Sequence, residues 1–215
     1  MAERSFKEEV GKLRLGAGSE FRGEGILAVT KALLQSGVSY VAGYQGAPVS
    51  HLMDVLNDAN DILEDLGVHF ESSASEATAA ATLAASVNYP LRGAVTFKST
   101  VGTNVASDAI SNLASGGVTG GALIIVGEDY GEGSSIIQER SHAFAMKSQI
   151  WLLDLLLLMR VGCGRQRDPG NVAPRGLERI AQGEHGADIV GRLKAAVDVA
   201  GADSKLQHDR RIGRL

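Results

Sequence analysis

Residues 122–127 read Ala122-Leu123-Ile124-Ile125-Val126-Gly127, six positions without a polar side chain. A run this short, rich in β-branched residues and closed by glycine, predicts a fully apolar strand, of the kind found where helices cover both faces of a sheet. Working outward, the same unit recurs upstream. Residues 93–98 read as a strand, with a helix over 105–113 between the two. An alanine-rich helix spans 75–87, and the strand before it, 68–71, is expected to be buried. A helical stretch over 50–66 opens with Ser50 as N-cap and stops at Gly67. Residues 38–42 form the first strand, behind a helix over 25–35 that Gly37 ends. Four short strands separated by helices predict an α/β fold, an open parallel sheet with helices on both faces. Ligands of such sheets bind at the carboxyl ends of the strands. That rule selects four loops, residues 43–50, 72–75, 99–104 and 128–135.

The remaining composition limits what the chain does. It has 215 residues, a net charge of -4 and 44% apolar residues, enough to bury a core, so wholesale disorder is excluded. The longest apolar run, residues 150–159, is broken by Asp154 and is about half the roughly 20 residues of a membrane crossing. The N-terminus mixes acids and bases with no apolar region behind it, so no secretory signal, no membrane association and a cytoplasmic location are expected. Cys163 is the single cysteine, which excludes an internal disulfide and a four-cysteine cluster within the chain.

Charge marks a boundary. Residues 1–150 carry 10 basic and 17 acidic side chains, whereas 151–215 carry 11 basic and 8 acidic, and no aromatic residue follows Trp151. The expected organisation is an N-terminal segment, 1–19, an α/β domain, 20–153, and an Arg/Gly-rich tail, 154–215, with at most one helix near 189–199. Acids interleave with the arginines of the tail, so no nucleic-acid partner is expected.

The loops contain no Walker-type phosphate cradle, and Gly16-Ala17-Gly18-Ser19-Glu20-Phe21 lacks the third glycine and the preceding strand of a dinucleotide fingerprint. No Gly-x-Ser-x-Gly elbow occurs, and the five histidines lack metal-ligand spacing. One acid stands in an informative place, Glu76, at the start of the alanine-rich helix. Ser73-Ala74-Ser75-Glu76 also fits a capping box in which the glutamate reaches back to the cap amide. Local pattern leaves both readings open.

Taken together, several runs carry a resemblance. They are Val41-Ala42-Gly43-Tyr44-Gln45-Gly46-Ala47-Pro48, Ser75-Glu76-Ala77, and Phe97-Lys98 with Gly102 and Asn104-Val105-Ala106-Ser107-Asp108. To these are added Gly120-Gly121, Ser134-Ser135 and Gln138-Glu139-Arg140. In this order and spacing the chain resembles the pyrimidine-binding domain of thiamine diphosphate-dependent 2-oxoacid:ferredoxin oxidoreductases, the indolepyruvate type above all, over its first 150 residues or so. The resemblance implies that Glu76 is the cofactor-activating glutamate, hydrogen-bonding N1′ of the aminopyrimidine so that the proton on the thiazolium C2 can leave. It implies further that Gly46 and Asn104 border the cofactor, and that Ala47, Pro48 and Lys98 border a 2-oxo acid substrate.

The departures from the family are specific. Gln45 stands where the family has proline, and Ala47 where it has a hydroxyl residue, which changes the substrate contacts. The stretch from Lys98 to Asn104 is one residue longer than usual. No Gly-Asp-Gly motif for the magnesium-bound diphosphate is present, and one cysteine cannot hold iron–sulfur clusters. The resemblance therefore implies partners: a diphosphate-binding domain or subunit carrying Mg2+, cluster-bearing domains, ferredoxin at one remove, and an oligomeric assembly. The chain alone is expected to be inactive, as a subunit or as a fragment whose continuation after Trp151 lies in another reading frame. The alternatives are an inert α/β assembly module and a fragment of another thiamine diphosphate decarboxylase or synthase.

Overall fold

The computed structural model describes residues 5–16, 19–128 and 141–152. Among these, four strands form one parallel sheet: β1 (Tyr40–Gly43), β2 (His69–Ser72), β3 (Gly93–Lys98) and β4 (Ala122–Gly127), in the order β2-β1-β3-β4. The register pairs Tyr40 with both His69 and Gly93, and Gly93 with Ala122. Because side chains alternate, Val41, Ala94 and Leu123 share one face, and Tyr40, Ala42, Val95 and Phe97 lie on the other.

Each face has its own helices. Leu33 of α1 (Gly25–Gln35), Leu52 and Leu56 of α2 (Ser50–Asp58) and Leu63 of α3 (Asn60–Leu66) pack with Val41 and Ala94. Opposite them, Ala79 and Ala80 of α4 (Glu76–Thr82), Leu83, and Ile110 of α7 (Ser107–Gly116) pack with Ala42, Val95 and Phe97. Alanine on α4 lets that helix lie close to the sheet. The expected α/β class is therefore present.

Several expectations need correction. Ser50 is the first residue of α2 and not its cap, since Val49 holds that place without a side-chain bond. The helices expected over 50–66 and 75–87 are each interrupted, at Ala59 and at Leu83, where α5 (Ala84–Asn88) begins. The first break falls among Asn57, Asp58, Asn60 and Asp61, short polar residues that disfavour helix interiors; Asp58 accepts from the Phe6 amide at 2.5 Å. The helix expected over 105–113 begins earlier, as α6 (Val101–Val105), and continues as α7 after a break at Ala106.

Neither outer strand is buried as its reading supposed. β2 is the exposed edge, with His69 and Glu71 side chains 73% and 53% accessible, and charged residues there discourage further strand pairing. β4 is half-buried up to Gly127. Gly67, by contrast, ends α3 in the left-handed region at φ 66, the expected stop.

The N-terminal segment joins the same body. Phe6, Val10 and Leu13, the last two in a 3-10 turn over Val10–Arg14, pack with Leu27, Ala28 and Val55. Buried Lys31 donates to the carbonyls of Leu13 (3.0 Å) and Leu15 (2.5 Å), closing the exposed end of that turn. Desolvation lowers its pKa. The tail, with the helix expected near 189–199, lies outside the described residues, as do Ser134, Ser135 and the Gln138-Glu139-Arg140 run.

Candidate functional site

The chain leaves β1 toward β2 on one side and later returns to β3 on the other, so the connections diverge between β1 and β3. A crevice forms at the carboxyl ends of strands where connections diverge in this way. The loop after β1, residues 44–49, meets the end of β3 here. Lys98 Nζ donates to the Ala47 carbonyl at 2.7 Å, and the Ala47-Pro48 peptide is cis. A Cβ at Gly46 would stand 2.7 Å from Lys98 Cβ, so only glycine allows this approach. The structure thus brings Gly46, Ala47 and Lys98 into contact, with Pro48 beside them and exposed. No carboxylate pairs with Lys98 among the described residues.

Glu76 opens α4 at the same end of the sheet and is 7% accessible. The capping box is real, but its members differ from those expected. Ser75 is the N-cap: its Oγ accepts from the Thr78 amide at 3.2 Å, while Thr78 Oγ1 accepts from the Ser75 amide at 2.9 Å. Ser73 stays in the loop, buried, its Oγ without a partner among the described residues. The reason is conformational. Ser75 has the extended backbone a cap requires, φ -161 and ψ 167, which leaves Glu76 in the first helical position, one residue beyond the cap, and not in the third position the box uses. The Glu76 carboxylate has no hydrogen bond or ion pair among the described residues.

Gly102 leaves room for the stem of this side chain. A Cβ at Gly102 would lie 3.2 Å from Glu76 Cγ and 2.6 Å from Phe97 Cδ2. The turn that brings Gly102 in passes through Thr100 at φ 61 and ψ -66, strain that a non-glycine residue holds only where its surroundings enforce it. Ser99, just before, bonds Ser141 Oγ at 2.7 Å. Glu128 Oε1 accepts from the Ser141 amide at 2.5 Å, capping α8 (Ser141–Ser148).

Asn104 lies elsewhere. It lines a cleft between α6, the start of α7 and α8, and neither Glu76, Gly46 nor Lys98 is on that wall. The structure also contains a network that residue-by-residue reading missed. Gln45 Nε2 donates to Asp54 Oδ1 at 3.1 Å, and His51 Nδ1 lies 2.9 Å from Asp54 Oδ2. A carboxylate only accepts, so the ring donates there. Asp54 is 9% accessible and both of its oxygens are used, and the network ties the loop after β1 to α2. The i,i+3 spacing of His51 and Asp54 was a signal for half of it. Nothing local pointed to Gln45.

No family model matches the chain. Over 127 residues, 59% of its length, it is 32% identical to the indolepyruvate oxidoreductase subunit IorA of Methanothermobacter marburgensis, of which it covers 20%. The subunit of the same name from Thermococcus kodakarensis is 30% identical over 127 residues, with 19% of that protein covered. That from Archaeoglobus fulgidus is 30% identical over 103 residues, 47% of this chain and 16% of the relative. The chain spans about a fifth of the length of the curated relatives it matches. The resemblance to the alpha subunit of indolepyruvate ferredoxin oxidoreductases therefore stands, and over more than half of its length this chain is related to subunits of that kind.

Proposed function

We propose that residues 20–153 are the pyrimidine-binding part of a thiamine diphosphate-dependent 2-oxoacid oxidoreductase of the indolepyruvate type, inactive until partners complete it. The observation that carries this reading is Glu76: a buried carboxylate at a strand-end crevice, excused from capping by Ser75 and Thr78, with Gly102 holding room against it. A ring nitrogen fits a carboxyl with no partner of its own. When bound, thiamine diphosphate supplies the electron sink for loss of carbon dioxide from a 2-oxo acid.

The side chains do the rest. Glu76 holds or gives a proton at the pyrimidine N1′. Gly46 lets the loop approach the cofactor closely, and Ala47 and Pro48 form the wall toward the substrate. Lys98, a cation whose partner among the described residues is the Ala47 carbonyl, faces the 2-oxo acid's negative charge. The cofactor role of Asn104 rests on the resemblance alone. Magnesium, the diphosphate site, iron–sulfur clusters and the route to ferredoxin belong to partner domains.

The test is co-expression with a chain bearing the Gly-Asp-Gly motif, comparing wild type with Glu76→Gln. The amide keeps the size of the side chain but cannot exchange a proton with N1′. Turnover and hydrogen–deuterium exchange at the cofactor C2 are expected to fall by about 100-fold or more, with cofactor affinity changed far less. Both rates surviving within a few fold would overturn the assignment.

A further inference from the structure

We propose that the cleft between α6, the start of α7 and α8 is a binding site for a small oxyanion, a carboxylate or phosphate group. Its wall carries Thr100, Thr103, Asn104, Ser107, Phe144 and Lys147. Charge selects the ligand class: among the described residues Lys147 is the one charged side chain on the wall, and no carboxylate lines it. The Lys147 ammonium donates to Ser107 Oγ at 3.2 Å and lies 5.3 Å from the Phe144 ring centroid. Both partners are neutral. They hold the cation beside the cleft without compensating it, and two of its three hydrogens remain for a ligand.

Asn104 adds donors, since its side-chain amide has no partner among the described residues. Ser107 Oγ, which accepts from Lys147, keeps its own hydrogen for a ligand, whereas the Thr103 hydroxyl donates to the Thr100 carbonyl at 3.3 Å and only shapes the wall. An ammonium with hydroxyl and amide donors around it suits an oxyanion, because charge-assisted bonds to oxygen are the strong ones. The arrangement is tertiary: Lys147 and Ser107 are 40 residues apart in the chain. Glu76 and Lys98 are absent from the wall; Asn104 is the one residue shared with the cofactor reading, and the anion site does not depend on that role.

The test is titration of the full chain with inorganic phosphate and, separately, with acetate, at constant ionic strength made up with chloride, followed by amide NMR. Saturable shifts at Thr103, Asn104, Ser107 and Lys147 are expected with at least one of the two anions. Phosphate alone would identify a phosphate ester as the natural group, and acetate a carboxylate. Lys147→Met should weaken binding about tenfold, 1.4 kcal/mol, and Asn104→Ala should weaken it independently. Lys12→Met, which removes an exposed charge elsewhere, should leave it unchanged. Absence of saturation with both anions, or saturation undiminished in Lys147→Met, would overturn the proposal.

Discussion

At the scale of single residues, the decisive division of labour is between Ser75 and Glu76. The hydroxyl caps the helix and the carboxylate does not. Ser75→Ala should therefore lower stability by about 1 kcal/mol, read as a shift in the urea midpoint, whereas Glu76→Gln should move that midpoint less. The reverse ranking would mean that Glu76 is the cap. Gly102 makes the complementary point. A methyl group there would meet Phe97 and press on Glu76, so Gly102→Ala is expected to cost about 1–3 kcal/mol through overpacking, checked by the same midpoint.

Elements are joined by a few buried polar groups, and these govern local opening. Asp54 accepts from Gln45 and His51 together. Asp54→Ala strands both donors and frees the loop after β1 from α2, so amide exchange over residues 44–49 should rise well above that of β1. Unchanged protection there would show that Lys98 alone holds the loop. Lys31 plays a similar part for the N-terminal segment, and its titration has a defined sign. Burial lowers its pKa from 10.5, so on raising pH the folded state releases this proton before the unfolded state does. The unfolded state then binds more protons, and this contribution to stability rises with pH across the alkaline range below 10.5. Lys31→Met should lack that rise when urea midpoints at neutral and alkaline pH are compared. Tyr40, whose phenol burial pushes its pKa up, acts in the opposite sense above its ordinary range and is common to both proteins, so the difference isolates Lys31.

For the whole molecule, the proposed reading makes completeness the issue. On that reading the chain would carry the loop and acid of one half of a site; its sequence has no Gly-Asp-Gly for the other. The purified 215-residue chain, given thiamine diphosphate and magnesium, should release no carbon dioxide from any 2-oxo acid. A release assay that detects turnover by this chain alone would contradict the division of the site between chains. Among the described residues no helix is long and apolar enough to cross a membrane.

Sequence by itself determined the strands over 93–98 and 122–127 to the residue, the helix over 25–35 and its glycine stop, and hence the parallel sheet. It also placed Glu76 at a strand-end helix start. These features are local: a short apolar run rich in β-branched residues favours a strand, and a left-handed helix end calls for glycine. What only the tertiary structure decided depends on neighbours distant in the chain. The sequence pointed to Ser73 as the cap of α4, and the backbone entering the helix chose Ser75. Strand order put β2 at the exposed edge of the sheet. Gln45 joined Asp54 and His51, and Lys147 met Ser107, because folding brought those donors and acceptors within about 3 Å, the reach of a hydrogen bond.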